Sequence, residues 1–398
     1  MSSPNGPRSA LVLSYSVIES DPRVRRQVDW LTGAGWEVDT LGLGGRPTTT
    51  VRQHFALEEP SRWVTTRSGV LASQLLLPAR ARFRRQIVDR IPRAAREGLR
   101  SGRYDLVVFN ETEFGPLLAD PTVFTSAALQ ARLHLDLHEY HNPVQRRQTL
   151  GARITGSHYR WVRGFIGHRA FTSRSVVNDP IGRLYVDEFG IEPPVPVRNI
   201  PPFVEQGPSP VDPGEIRLLF HGLASWKRGF DAILEAMRVL PEHFTMTFML
   251  MPNPAVHARL REQVDAHPAR DRIRIVPPAP MRELAQRINE YDLEIIFYRP
   301  LERNLELALP NKFFEAVQGR LGVVVGESPA MAELVREHGI GIVVPGFDAA
   351  DLATALADLT PDDVARAKAA SDRAAGLLNA EVEREAFLAA IESAARPD

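Results

Sequence analysis

The sequence of 398 residues contains no cysteine and only three lysines, against 45 arginines. Without cysteine there is no disulfide, no thiolate metal ligand and no cysteine nucleophile, and the chain suits a reducing compartment. Its apolar runs, such as residues 244–251 and 321–326, are far shorter than the ~20 residues that a membrane-spanning helix needs. The start of the chain shows no signal-peptide pattern. These absences lead us to expect a cytoplasmic protein.

Charge is unevenly distributed along the chain. Residues 1–200 carry 27 basic and 19 acidic side chains, whereas the remainder carries 21 basic and 30 acidic ones. Residues 79–100 alone contain eight arginines, and Phe83, Ile87 and Ile91 recur there at helical spacing. This segment is either a solvated helix face over a core or a peripheral contact with an anionic membrane or acceptor. The sequence leaves both readings open.

Strand-like runs alternate with helical patterns, which predicts an α/β fold with parallel sheets. Residues 9–16 read as a strand, and a helix follows in which Ser20 or Asp21 is the N-cap and Pro22 occupies the first turn. A second strand at residues 36–43 completes a strand–helix–strand unit. No G-x-G-x-x-G motif marks its turn, so a dinucleotide is not expected there.

The chain is expected to form two similar α/β halves. Its length exceeds what one core usually supports, and residues 192–215 are too rich in proline for a helix or a central strand. We therefore predict an N-terminal domain over residues 1–200, a C-terminal domain over 201–375 and a final helical segment over 376–398. The sequence leaves open whether that last segment packs back on the first domain. Two such domains would face a ligand cleft.

The stretch "LPNKFFEAV" predicts an anion site at the start of a helix. Pro310 fits a first helical turn, where its missing N–H costs nothing, and Asn311 and Lys312 follow beside free backbone N–H groups. A lysine at the positive end of a helix is unfavourable unless an anion bridges the two, and a diphosphate would do so. Glu315 shares their face and, as a hydrogen-bond acceptor, suits a ribose diol.

A second strand-to-helix junction, "FHGLASWKRGF", shows the same arrangement of charge. A buried strand ends near Gly222, and Lys227 and Arg228 precede the next helix. Two of the three lysines in the chain therefore fall in two such junctions within one half. Either pair taken alone could be a surface cation beside a loop, but the two together favour a diphosphate.

These motifs, together with "VVVGESPAMAELV", "DLHEY" and "VRNIPPF", resemble those of GT-B glycosyltransferases, most closely the retaining enzymes of family four. The resemblance spans nearly the whole chain. It implies two Rossmann-like domains facing a cleft. It also implies transfer of a sugar from a nucleotide-diphosphate sugar to an acceptor hydroxyl or similar nucleophile, with retention and without metal. The implied partners are that donor and a small-molecule or lipid-linked acceptor, with no nucleic acid and no resident cofactor.

The resemblance also assigns roles to residues. It implies that Arg228 and Lys312 hold the diphosphate, that Glu315 binds the ribose and that His138 faces the donor sugar from the N-terminal domain. The implied donor-binding set comprises Gly222, Lys227, Glu306, Leu309, Asn311 and Glu315. Two positions depart from the pattern: Leu307 replaces a frequent glutamate, and Leu223 or Ala224 stands where many members have an arginine.

Other functions remain open at this point. His134, Asp136 and His138 alternate in "HLDLHEYH", so on a strand they would share a face, and two histidines with an aspartate can bind zinc or iron in a metal-dependent hydrolase. An epimerase of the same fold and a non-catalytic nucleotide-sugar-binding protein are further alternatives. No D-x-D triplet occurs in the sequence, which disfavours the metal-dependent glycosyltransferase fold.

Overall fold

The computed structural model describes residues 7–60, 66, 77–142 and 150–393. The chain divides into two compact units, one comprising residues 1–198 with 384–398 and the other residues 199–383. Both units consist of a parallel sheet with helices between successive strands. The prediction of an α/β fold with two Rossmann-like domains is confirmed.

The first unit is built on a seven-stranded sheet with the order β3-β2-β1-β4-β5-β6-β7, in which every pairing is parallel. The strands are β1 (Arg8–Val17), β2 (Trp36–Leu43), β3 (Gln53–Ala56), β4 (Leu106–Asn110), β5 (Arg132–Leu137), β6 (Ser173–Val176) and β7 (Val195–Pro196). The helices of this unit are α1 (Pro22–Gly33), α2 (Ala79–Gln86), α3 (Arg93–Arg100), α4 (Leu150–Arg163) and α5 (Asp179–Phe189).

The start of α1 follows the sequence prediction. Asp21 is the N-cap, and its carboxylate accepts hydrogen bonds from the backbone N–H groups of Arg23 and Val24. Pro22 occupies the first helical position, where no N–H is needed. The second half of α1 turns Val28 and Leu31 into the core beneath β1 and β2.

The arginine-rich segment 79–100 is not one continuous helix. Helix α2 ends at Gln86 because the backbone of Ile87 leaves the helical region, and Pro92 precedes the separate helix α3. Phe83, Ile87 and Ile91 are all buried within the first unit. The apolar side chains of this segment therefore belong to the protein core and are not available to a membrane.

The helix near the end of the chain, α14 (Ala380–Ser393), contributes to the core of the first unit. Phe387 and Ile391 are fully buried there. The ring of Phe387 packs 5.7 Å from that of Trp30 and 5.4 Å from that of His134, measured between ring centroids. Residues 394–398 of the predicted final segment lie outside the described residues.

The second unit is built on a six-stranded sheet with the order β10-β9-β8-β11-β12-β13, again parallel throughout. Its strands are β8 (Ile216–Gly222), β9 (Phe244–Leu250), β10 (Ile273–Val276), β11 (Leu293–Ile296), β12 (Gly322–Gly326) and β13 (Gly341–Val344). Its helices are α6 (Phe230–Met237), α7 (Pro254–Asp265), α8 (Leu284–Ile288), α9 (Arg303–Glu306), α10 (Asn311–Gln318), α11 (Pro329–His338), α12 (Ala349–Ala357) and α13 (Pro361–Ala375). None of the described helices is long and apolar enough to cross a bilayer.

The third lysine of the chain, Lys368, has a structural role in the second unit. Its side chain is 1% exposed, and its Nζ lies 3.1 Å from Asp292 Oδ1 and 2.9 Å from Ser209 Oγ. Ser209 belongs to the proline-rich stretch, so this ion pair anchors that stretch to α13 and to the start of β11. Lys368 is thereby separated in role from the two lysines at the strand-to-helix junctions.

Candidate functional site

A pocket of about 540 Å³ lies in the second unit, beyond the carboxyl ends of its strands. Strand β8 enters it at Gly222, whose φ of 101° requires glycine, and α10 enters it with its first turn. The pocket is lined by His221, Gly222, Leu223, Arg228, Met249, Met251, Pro278, Ala279, Met281, Leu284, Pro310, Asn311, Lys312 and Glu315. Parallel α/β sheets bind ligands at this edge.

Lys312 places a buried ammonium group in this pocket. Its Nζ lies 3.2 Å from the centroid of the Phe220 ring and 3.5 Å from Glu294 Oε1, and its side chain is 4% exposed. Among the described residues it has no hydrogen-bond acceptor. Burial lowers the pKa of Lys312 to about 8, against the opposing effect of Glu294. A buried ammonium in this state is costly unless a ligand completes its bonding.

His221 lies between two carboxylates in the same pocket. Its Nδ1 is 2.9 Å from Glu294 Oε2, and its Nε2 is 2.9 Å from Glu315 Oε2. Because an ionised carboxylate only accepts hydrogen bonds, both ring nitrogens must carry a proton. Burial acts to lower the pKa of His221, but the two carboxylates outweigh it and raise that pKa to about 9. His221 is therefore an imidazolium at neutral pH.

Arg228 is held at the pocket by a short turn. The 3-10 turn Trp226–Arg228 ends at Gly229, whose φ is 87°. A Cβ on Gly229 would overlap the carbonyl oxygen of Phe297, so the turn approaches the chain after β11 as only glycine allows. Arg228 Nη1 donates a hydrogen bond to the hydroxyl oxygen of Tyr298 at 3.1 Å. This contact orients a second cation towards the pocket.

His138 lies in the first unit, one residue beyond β5, at a separate pocket of about 310 Å³. Its Nε2 is 3.0 Å from both Asp136 Oδ2 and Asn110 Oδ1. Asp136 also accepts two hydrogen bonds from the Arg23 guanidinium, at 2.7 and 2.6 Å. Burial acts to raise the pKa of Asp136, but Arg23 and His138 hold it well below its usual value. Asp136 therefore fixes the orientation of the His138 ring.

Residues 215–362 match the family described as glycosyl transferases group 1. The matched residues lie within the second unit. No curated protein sequence matches the chain.

Solved structures of similar fold extend over nearly the whole chain. A glycosyltransferase from Rickettsia africae ESF-5 is 13% identical with a TM-score of 0.66, covering 97% of this chain and 98% of its own. Sucrose-phosphate synthase from Thermosynechococcus elongatus is 16% identical with a TM-score of 0.65, covering 97% and 98%. HepE from Anabaena, in complex with UDP, is 14% identical with a TM-score of 0.67, covering 97% and 100%. The resemblance to GT-B glycosyltransferases is confirmed, and at these identities the solved structures establish the fold.

The second unit brings together part of the predicted donor-binding set and the two residues that the resemblance implies for the diphosphate. Gly222, Arg228, Asn311, Lys312 and Glu315 all line the pocket described above. The roles implied for them by the resemblance stay predictions, but the structure places them around one cavity.

Three residues of the predicted set do not line that pocket. Lys227 is 65% exposed and pairs with Glu302, with 2.9 Å between Nζ and Oε1. Glu306 pairs with Arg303 at 2.6 Å, and Leu309 is half-buried among hydrophobic residues. The donor-binding roles of Lys227, Glu306 and Leu309 stay predictions. Leu307, at the position where related enzymes often have a glutamate, is buried.

The alternative metal site at His134, Asp136 and His138 does not form. His134 Nδ1 lies 2.7 Å from Ser173 Oγ and its Nε2 lies 2.8 Å from Ser175 Oγ, so strand β6 occupies both ring nitrogens. Asp136 is occupied by Arg23, and no group of three described His, Asp or Glu side chains is arranged to hold a metal. The prediction fails because β5 is a central strand, whose side chains find partners on the neighbouring elements.

Sequence reasoning missed three residues of the pocket region: the ring of His221, the carboxylate of Glu294 and the hydroxyl of Tyr298. One signal was available. Glu294 interrupts the apolar run of β11 and is 0% exposed, and a fully buried glutamate in a central strand needs charged partners. The identity of those partners depends on pairing between distant strands.

Proposed function

We propose that this protein is a glycosyltransferase that moves a sugar from a nucleotide-diphosphate sugar to an acceptor hydroxyl, with retention of anomeric configuration and without a metal ion. The observation that carries the proposal is the Lys312 ammonium, which is buried, lacks an acceptor among the described residues and lies at the first turn of α10 beside Arg228. A diphosphate supplies the oxygens that both cations and the free N–H groups of the helix start require.

In this reaction the group that most needs electrostatic stabilisation is the departing diphosphate. As the bond between the anomeric carbon and the diphosphate oxygen breaks, its electron pair moves to that oxygen. The acceptor oxygen bonds to the anomeric carbon, and its proton passes to an oxygen of the departing diphosphate. Arg228, Lys312 and the start of α10 would stabilise the developing negative charge, which is the largest contribution that such a site can make. Positive charge of this kind serves the purpose that a divalent cation serves elsewhere.

Glu315 and the apolar wall would hold the nucleoside. Glu315 presents a carboxylate that accepts hydrogen bonds from a ribose diol. Met249, Met251 and Met281 supply an apolar wall against which a base can pack. HepE, a structural neighbour, has been solved with UDP and with UDP-glucose, which makes uridine nucleotides the first probes to use.

The remaining partner is the acceptor. We place its contact, and that of the transferred sugar, at the pocket of the first unit that contains His138, Glu111 and Asn110. A small-molecule or lipid-linked acceptor on the cytoplasmic side, with the arginines of residues 79–100 contacting an anionic surface, completes the proposal. Retention follows from the resemblance to family four.

The test is a thermal-shift panel of UDP-, GDP-, ADP- and dTDP-sugars, followed by an assay of sugar transfer. A ligand present at 100 times its Kd should add about 2.7 kcal/mol to the free energy of unfolding. We expect one nucleotide family to raise the melting temperature. A panel in which no nucleotide sugar does so would contradict the proposal, and interconversion of the donor sugar without transfer would favour an epimerase.

A further inference from the structure

Three titratable side chains form a hydrogen-bonded row behind the pocket of the second unit. Glu294, on β11, is 0% exposed and accepts hydrogen bonds from the backbone N–H of His221 at 3.1 Å and from its Nδ1 at 2.9 Å. His221, on β8, donates from Nε2 to Glu315 on α10. Glu315 is 14% exposed at its side chain and lines the pocket. The row therefore runs from the sheet interior to the ligand cavity.

The fold does not by itself require this row. The neighbours of Glu294 along β11, Leu293, Ile295 and Ile296, are apolar and fully buried, and a residue of that kind would fill the same position. Replacing a buried ion pair by well-packed apolar residues is often neutral or stabilising, so such a pair is weak evidence for a stabilising role. The row of side chains also reaches Glu315, which faces the pocket, and this points to a role in binding.

We infer that His221 is a positioning residue: held from behind by Glu294, its protonated ring fixes the Glu315 carboxylate in the pocket, and ribose binding depends on that proton. The inference rests on the proposed function, because it assigns the donor ribose to Glu315. His221 lines the pocket and donates to Glu315, and the inference assigns its effect on the ligand to that carboxylate.

The proton matters because of the two acceptors that His221 faces. When it is lost, one ring nitrogen presents a lone pair to a carboxylate, and Glu315 loses the donor that holds it. Glu294 is enclosed by the sheet and cannot move away, whereas Glu315 borders the cavity and can. The other charged groups around the ring are Lys312, also on α10, and Arg228, on the turn before α6. The raised pKa of His221, about 9, places the change in mildly alkaline solution.

The measurement is the ratio of two dissociation constants, that of 2′,3′-dideoxy-UDP divided by that of UDP, taken by calorimetry at pH 7.5 and pH 10. Both ligands carry the same base and diphosphate, so ionisation of those groups and of Lys312 cancels in the ratio. At pH 7.5 we expect UDP to bind about tenfold or more tightly than the dideoxy analogue, since hydrogen bonds to a charged group are lost. At pH 10 the ratio should approach 1.

Two variants test the same point. In His221→Gln the ratio should be low at both pH values, and in Glu294→Gln it should begin to fall at lower pH, since the imidazolium loses its inner carboxylate. His267→Gln is the matched control: His267 is buried in the same unit, and its Nε2 binds the carbonyl oxygen of Leu234 at 2.9 Å, among residues that do not line the pocket. Its ratio should follow that of the unmodified protein.

The outcomes separate this inference from the proposed function. UDP binding with a ratio that is the same at pH 7.5 and pH 10 in the unmodified protein overturns the role of His221 and leaves the proposed function standing. This measurement needs no variant, so it decides the matter even if His221→Gln fails to fold. Absence of binding by UDP, and by GDP, ADP and dTDP in its place, overturns the proposed function and the inference together.

Discussion

The three lysines of this arginine-rich chain have three different environments, and Lys312 is the one that lines the pocket of the second unit. Lys227 is exposed and forms an ion pair, and Lys368 is buried and forms an ion pair. Lys312 is buried 3.5 Å from the Glu294 carboxylate, but it has no hydrogen-bond acceptor among the described residues. A lysine suits the third position because its compact ammonium fits over the ring of Phe220, where a planar guanidinium needs more room. The charge of Lys312 is thus available to a ligand.

Lys312→Ala should impair transfer with little effect on folding. Loss of a charge-assisted contact to the diphosphate should cost about 2 to 4 kcal/mol in transition-state binding, read from kcat/KM. The melting temperature of the free protein should change little, because Glu294, whose carboxylate lies 3.5 Å from Lys312 Nζ, keeps its ion pair with His221. Arg228→Ala should show the same loss of kcat/KM.

Arg238→Ala is the control for these variants, because Arg238 is a half-exposed cation of the same unit that pairs with Glu235 and does not line the pocket. Its kcat/KM should stay within about twofold of the unmodified protein, as expected for a surface pair. Equal losses for Arg238→Ala and Lys312→Ala would show that general charge, and not the pocket, controls activity.

Glu315→Gln should weaken binding of the free nucleotide. The amide keeps the size of the side chain but presents an N–H where a ribose hydroxyl would donate, so affinity for UDP should fall about tenfold. The control is Glu235→Gln, an exposed glutamate of α6 that pairs with Arg238. Calorimetry that shows equal UDP affinity for Glu315→Gln and the unmodified protein would reduce Glu315 to a helix-surface residue.

The stability of the free protein should respond to pH through His221. Its pKa is raised from the ordinary value of 6.5 to about 9, so the folded state holds a proton that the unfolded state releases in that window. This contribution is complete below pH 6.5 and is lost as the pH rises through 9. Lys312 acts in the opposite direction above pH 8, because its pKa is lowered from 10.5 to about 8.

The effect of His221 is therefore best measured between pH 6.5 and 8. In that range His221, and not Lys312, makes the free energy of unfolding depend on pH. Denaturant unfolding should show the free energy of unfolding falling with pH more steeply in the unmodified protein than in His221→Gln. Equal slopes would mean that His221 is neutral in the folded state.

At the scale of elements, the turn before α6 depends on glycine. Gly229→Ala should destabilise the second unit by roughly 2 kcal/mol or more, because the left-handed backbone disfavours alanine and the new Cβ would overlap the carbonyl oxygen of Phe297. Any backbone movement that relieves this overlap would shift the turn and move Arg228. Thermal unfolding and kcat/KM should therefore worsen together.

Gly339→Ala is the control for the backbone effect alone. Gly339 ends α11 with a φ of 65°, and a Cβ there meets nothing within 4 Å. It should cost about 1 kcal/mol, with kcat/KM unchanged. If both variants lose the same stability, close packing of the turn against Phe297 has no energetic role.

Local sequence signals predicted the helices and strands well, but they predicted the candidate site only in part. Pro22 and Asp21 mark the start of α1, and Pro310 marks the start of α10, because capping acts within one turn. The break of segment 79–100 at Ile87 was missed, since an apolar repeat continues across it. The pairing of His221 with Glu294 could not be read from the sequence, because it joins β8 to β11 across intervening strands and helices.

At the scale of the whole molecule, the two candidate sites lie in different units, and this separates binding from transfer. Every residue that lines the pocket around Lys312 belongs to the second unit. His138→Ala should therefore leave the Kd for UDP nearly unchanged while sugar transfer falls, if His138 contacts the sugar as the resemblance implies.

The assay of sugar transfer also tests whether the reaction depends on a metal ion. Transfer should survive exhaustive chelation, and His134→Ala, which removes a ring bonded to two serines, should affect stability more than kcat. Full loss of transfer on chelation, restored by a divalent ion, would refute the metal-free reaction. A metal bound at the alternative site would in addition make His134→Ala as damaging to kcat as His138→Ala.

The burial of Phe387 against Trp30 and His134 also has a consequence for synthesis on the ribosome. The chain that forms the entire second unit is translated between His134 and Phe387. A nascent first unit must therefore wait with part of its apolar core uncovered until α14 emerges. Contacts between such distant segments close slowly, and exposed apolar surface favours aggregation in the meantime. The first unit begins translation first, yet its core is completed only after the second unit has been translated.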